Sequence, residues 1–218
     1  MSLIFPIVGC SDIDTKKEII EKALFNKYGD NFVLDRIGGD LSEFPGNTNK
    51  GYAFSTNHPN RLFPVQITKD SDVVIDNYSD ILMSLKLEEI VKEMISDVDV
   101  IVKSRIQSYW FPPDTSSGDM SPFDYINLSD RIDSFVFFIS SQIENKDDLI
   151  KEIRKSIKES NDLLNSRIVL DVIFVKNEDK EELIVNIESF TAYADFDRSI
   201  RTDNTGIEII EIKRFETN

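Results

Sequence analysis

The 218-residue sequence holds one cysteine, one histidine and one tryptophan. A lone cysteine excludes an internal disulfide and any cysteine-rich metal site. With a single histidine, neither a histidine-rich zinc site nor a Cys–His pair backed by a second histidine can be built. Basic residues are scarce too, 25 Lys and Arg against 40 Asp and Glu, for a formal net charge of −15. Such a field repels phosphate backbones and anionic membranes, which argues against nucleic-acid binding and favours a basic partner. No apolar run approaches the roughly 18 residues needed to span a bilayer. Gly38-Gly39 is the single adjacent glycine pair, and neither G-x-x-x-x-G-K-[ST] nor G-x-G-x-x-G occurs, so no phosphate-cradling loop is indicated. G-x-S-x-G is absent as well, and with it the nucleophile elbow.

What is present describes an ordinary globular chain, 40% hydrophobic and 30% charged, with 15 Phe and 6 Tyr to fill a core. Thr15 and Glu18 fit a capping box, Ile20, Ala23, Leu24 and Tyr28 follow at helical spacing, and Gly29 supplies a stop. Strands are expected over 31–37, 51–55 and 63–68, with a polar loop at 40–49. A second amphipathic helix is expected over 79–96, with Ile81, Leu82, Leu85, Ile90, Val91, Met94 and Ile95 as its apolar face. In a strand over 98–110, Val98, Val100, Val102, Ile106 and Trp110 alternate with Asp99, Lys103, Arg105 and Gln107. That pattern predicts a sheet buried on one side and wet on the other.

The text 114–129 is loop-like, and the boundary between two halves is expected there. The organisation predicted is an N-terminal segment 1–13, a first α+β half 14–113, the linker 114–129 and a second α+β half 130–218. In the second half a strand is expected over 131–140 and a helix over 146–165, with Leu149, Ile150, Ile153, Ile157 and Leu164 on one face. A hairpin of 167–176 with 181–189 and a last strand over 207–215 complete it. The fold class is therefore α+β, with largely antiparallel sheets and amphipathic helices packed on one face.

Few constellations point to chemistry. His58 sits in a turn between Asn57 and Pro59, without the convergent partners a base or ligand needs. The acidic pairs Asp12/Asp14, Asp70/Asp72, Asp97/Asp99 and Asp114/Asp119 miss the spacing of a calcium loop. No metal site and no cofactor is expected. A hydrolase with an unrecognised carboxylate pair ranks third among the readings, because 40 acids always bring some pair together. Tyr109-Trp-Phe-Pro-Pro113 is the most suggestive binding feature. Trp110 continues the inward face of its strand, which leaves Tyr109 and Phe111 as the candidate partner-binding side chains. Ile7-Val8-Gly9-Cys10 has the form of a lipobox, with Cys10 as the lipidation site, although only nine residues precede it and the first basic residue is Lys16. The other reading makes Ile4, Phe5, Ile7 and Val8 a first buried strand.

Two stretches, EIIEKALFNKYGDNFVLDRIGGD (18–40) and FPVQITKDSDVVIDNYSDILMSLKLEEIVKEMI (63–95), carry a resemblance. A helix ending in KYG, a strand, then a strand leading through Asp76-Asn77-Tyr78 into a long helix resembles uncharacterised lipoproteins of Gram-positive bacteria. Some of these accompany mobile elements or toxin–immunity loci. The first half also resembles a PepSY-like module. The resemblance implies a cell-envelope, extracellular, non-enzymatic protein-binding module, reaching the membrane only through a lipid on Cys10, and it brings no catalytic residue. The alternative is a cytoplasmic acidic immunity or antitoxin-type protein that neutralises a basic partner.

Overall fold

One helical turn separates Ile20 from Leu24, and both are buried on the first helix, α1 (Cys10–Tyr28). The computed structural model describes residues 10–37, 48–68, 73–108, 120–142, 144–189 and 206–216. They divide into two units, Met1–Asn77 and Tyr78–Asn218. In the first, α1 is followed by β1 (Phe32–Ile37), β2 (Thr48–Ser55), β3 (Phe63–Thr68) and β4 (Val74–Asp76), all antiparallel and adjacent in chain order. Phe32 and Leu34 of β1, Ala53 of β2, and Phe63, Val65 and Ile67 of β3 are buried with Ile20 and Leu24. Large residues face small ones across the strands, Phe32 opposite Ser55 and Phe63 opposite Ala53. The rings of Phe32 and Phe63 meet edge to face at 5.9 Å, a favoured aromatic geometry.

The ends of α1 differ from the capping-box expectation. The helix begins at Cys10, so Thr15 lies inside it rather than at its cap. The stop at Gly29 holds: its φ of 71° is left-handed, and its N–H closes on the Phe25 carbonyl at 2.8 Å. No atom lies within 4 Å of where a Cβ would stand. Gly29→Ala should therefore cost about 1–2 kcal/mol through backbone strain alone, measured as a lower urea midpoint with an unchanged slope.

The second unit comprises α2 (Tyr78–Met94), β5 (Ile101–Ser108), α3 (Pro122–Asn127), β6 (Ile132–Ser140), α4 (Lys146–Lys158), α5 (Asn161–Leu164), β7 (Val169–Val175), a 3-10 turn at Asn177–Asp179, α6 (Lys180–Ser189) and β8 (Ile209–Glu216). Its sheet has the order β5-β6-β7-β8. The outer pairs are antiparallel and the central pair, β6 with β7, is parallel. A parallel pair needs a crossover, which here runs through α4 and α5.

The α+β class stands, with sheets dominated by antiparallel pairs. Four further expectations are corrected. The linker expected at 114–129 is not the boundary; the division falls after Asn77. β5 and β6, on either side of that stretch, pair over eight residues, and Tyr125 and Ile126 of α3 are completely buried between them in sequence. Ser121 caps α3 by accepting the Asp124 N–H, with Pro122 as its first residue, so a loop-like composition hid a one-and-a-half-turn helix.

The hairpin partner expected at 181–189 is the helix α6. Leu183, Val185 and Ile187 satisfy period 2, but Leu183 and Ile187 also lie one helical turn apart. Val185 decides between them: it is 43% exposed while Leu183 and Ile187 are buried.

The face of the sheet expected to be wet is covered. One core gathers Val102, Ile106, Val136, Phe138, Val172 and Phe174 with residues of α2, α3 and α4. The other gathers Phe135, Phe137, Ile139, Ile173 and Val175 with Leu183 and Ile187 of α6. Helices thus lie on both faces of this sheet. The helix expected over 146–165 is also interrupted, because Ser160 turns its hydroxyl to the Leu163 N–H at 3.3 Å and opens α5.

Candidate functional site

Three polar residues on α2, Asp80, Ser84 and Glu88, are spaced four apart and buried. Four helical residues advance about 6.0 Å and two strand residues about 6.6 Å, so a helix stripe with this spacing can follow alternate residues of a strand. It does so on β5. Ser108 N–H donates to Asp80 Oδ2 at 3.0 Å, Ile106 N–H to Ser84 Oγ at 2.7 Å, and Ser104 N–H to Glu88 Oε2 at 3.3 Å. β5 is the first strand of its sheet, and these outward N–H groups would otherwise be open for pairing with another chain. Serines at 104 and 108 keep the strand surface low where the helix passes, and both add hydroxyl bonds. Ser108 Oγ reaches Asp80 at 2.8 Å, and Ser104 Oγ donates to the Ser84 carbonyl.

The ladder is anchored at both ends. Tyr125 of α3 donates its hydroxyl to Asp80 Oδ1 at 2.6 Å. Glu88 Oε1 lies 2.8 Å from Lys92 Nζ and 3.5 Å from Lys103 Nζ, and Lys103 continues to Glu188 of α6 at 2.6 Å. Arg105 donates to the Ile187 carbonyl at 3.3 Å. Of the strand residues expected to face water, Lys103 and Arg105 are thus tied to α6. The apolar face expected for α2 is corrected by the same geometry. Ile81, Leu82, Leu85 and Ile90 are only half-buried, and the deep face is Met83, Leu87 and Val91 with the polar stripe beside them.

The first unit repeats the device once: Leu34 N–H of the edge strand β1 donates to Glu21 Oε1 of α1 at 3.0 Å. At its other side Asp76 accepts Tyr28 Oη at 2.6 Å and Lys27 Nζ at 3.0 Å. Burial works to lower the Lys27 ammonium, but hydrogen bonds to Tyr28 and Asp76 outweigh it and hold it above the ordinary lysine range. A lysine raised in the folded state stabilises fully below its unfolded value of about 10.4, and that contribution disappears as pH climbs through the raised one. Lys27→Met should flatten the alkaline limb of a stability-versus-pH curve; an unchanged limb would count against the bond.

Among the described residues the remaining buried carboxylate, Asp171 on β7, is clamped by Arg214 of β8 through Nε at 2.7 Å and Nη2 at 2.5 Å. His58 lies in a tight turn, its N–H donating to the Ser55 carbonyl and its carbonyl accepting from Arg61. Beside it Asp30 accepts the Ser55 hydroxyl and the Asn57 amide, which fixes the turn. Among the described residues no group of three His, Cys, Asp or Glu side chains is placed to hold a metal ion.

Of the predicted site residues, Cys10 is the first residue of α1. Tyr109 and Phe111, with Trp110, lie outside the described residues, as do residues 1–9. No helix among the described residues is long and apolar enough to cross a membrane.

No family model and no curated protein matches the sequence. The fold is similar to the crystal structure of a DUF5037 family protein from Ruminococcus gnavus ATCC 29149. The two align over 81% of this chain and 81% of that one, with a TM-score of 0.52 and 17% sequence identity. At that identity the likeness concerns the fold alone. The ladder residues were missed from sequence because Asp80, Ser84 and Glu88 break an apolar helix and look like its wet side. The signal that could have found them is their spacing of four, matched by Ser104 and Ser108 among the inward positions of β5.

Proposed function

We propose that this chain is a non-enzymatic protein-binding module, held at the outer face of a Gram-positive cell envelope through a lipid on Cys10. The observation that carries the non-enzymatic part is the use of the buried carboxylates. Asp76, Asp80, Glu88 and Asp171 each accept donors of the fold itself, so each buried carboxylate among the described residues already has a structural use. The lipid rests on Ile7-Val8-Gly9-Cys10, and stable residence would take two acyl chains, because one gives only marginal binding. Tyr109 and Phe111 are the side chains proposed to meet the partner. Metabolic labelling of the full-length gene product with a palmitate analogue tests the anchor. Label lost in Cys10→Ala is expected; label that persists in that variant, or never appears, sinks it.

The net charge of −15 favours a second reading, a cytoplasmic immunity-type protein that neutralises a basic partner. Complementary fields chiefly accelerate association. Binding to the product of the neighbouring gene should then slow steeply as salt rises, and a salt-independent association rate counts against it.

A further inference from the structure

We propose that two copies of this chain associate through their β8 strands, antiparallel about Ile212, to make one continuous sheet. β8 is the last strand of its sheet, and among the described residues no strand pairs with its second edge. The opposite edge of the same sheet is closed by the α2 ladder, so β8 is where this sheet can grow.

Charges on an edge strand ordinarily discourage pairing. The charges of β8 are arranged differently, because Glu211-Ile212-Lys213 is its own complement when read antiparallel. A two-fold axis perpendicular to the sheet at Ile212 sets Glu211 opposite Lys213 of the second copy, twice, with all four side chains on one face. That face is the α4 side, where Glu211 already meets Lys146 at 3.0 Å and Lys213 at 2.6 Å. A two-residue slip in one direction sets Glu211 against Glu211, and in the other Lys213 against Lys213. Between two copies, the pattern therefore selects one register. The −15 charge on each copy opposes any association of two copies, this one included, so the matched Glu211–Lys213 pairs and the strand pairing have to outweigh it. Ile210, 36% exposed on the same strand, lies beside this pairing.

Sedimentation velocity on the full chain across a concentration series tests the proposal. A concentration-dependent monomer–dimer equilibrium is expected. Lys213→Glu and Glu211→Lys should each weaken association roughly ten- to a hundred-fold, since both symmetry-related pairs become repulsive. The double exchange Glu211→Lys/Lys213→Glu should restore it. Lys213 is exposed, so Lys213→Glu carries the test even if Glu211→Lys disturbs the Lys146 contact; circular dichroism confirms that each variant is folded. A chain monomeric at every concentration, single reversals without effect, or a folded double variant that stays dissociated would each overturn the proposal.

Discussion

Asp80→Ala lowers the unfolding free energy by about 3–5 kcal/mol, because three buried donors lose their acceptor at once. Ser108 contributes its N–H and its hydroxyl, and Tyr125 its phenol, all to one carboxylate that is 5% exposed. Each donor left in the interior costs its desolvation, about 1–3 kcal/mol, with partial relief where a hydroxyl can rotate toward another acceptor. Asp80→Asn keeps the shape and one carbonyl acceptor but points an amide N–H₂ at the remaining donors, so an intermediate loss is expected. Urea unfolding followed by circular dichroism reads both. A loss under about 1 kcal/mol for the alanine variant would place it among ordinary surface substitutions and remove the ladder from the account of stability.

Phe137→Ala should cost about 3–5 kcal/mol, and so should Phe138→Ala. The two neighbours project from β6 to opposite faces of the sheet, Phe138 into the core shared with α2, α3 and α4, Phe137 into the core shared with α6. Both are essentially fully buried. If only one face were covered, one of the two would behave as a surface residue and cost little. Equal, large losses are the outcome expected of a sheet with helices on both sides.

β1 and β3 of the first unit were legible because each obeys a simple rule, as where Phe63, Val65 and Ile67 alternate with half-buried positions, and Gly29 stops a helix; β4 and the start of β2, which lies inside the polar loop expected at 40–49, were not. Ile150, Ile153 and Ile157 announced α4 equally clearly. The errors fall where two physical readings share one pattern. Leu183-Ile184-Val185-Asn186-Ile187 satisfies both strand and helix spacing, and the choice belongs to the sheet beneath it, which offers a whole face to be covered. Lys103, Arg105 and Gln107 look solvated, yet Lys103 pairs with Glu188 and Arg105 donates to the Ile187 carbonyl of α6, contacts no local window contains. Asp80, Ser84 and Glu88 were hidden for the same reason. Their buried state depends on donors that lie 16 to 28 residues further along the chain. The boundary after Asn77 was invisible because no glycine- or proline-rich linker marks it; Asp76-Asn77-Tyr78 runs from strand to helix with one residue between them.

The central claim is that α2 closes the edge of a sheet through side-chain acceptors matched to alternate strand residues. Native-state hydrogen exchange at the Ser104, Ile106 and Ser108 amides tests it most directly. These three edge amides should be protected to nearly the same free energy as the interior amides of β6, opening only with the whole unit. In Asp80→Asn the Ser108 amide should lose protection first. Fast exchange at all three while β6 remains protected would mean that the edge is open and the ladder does not hold it.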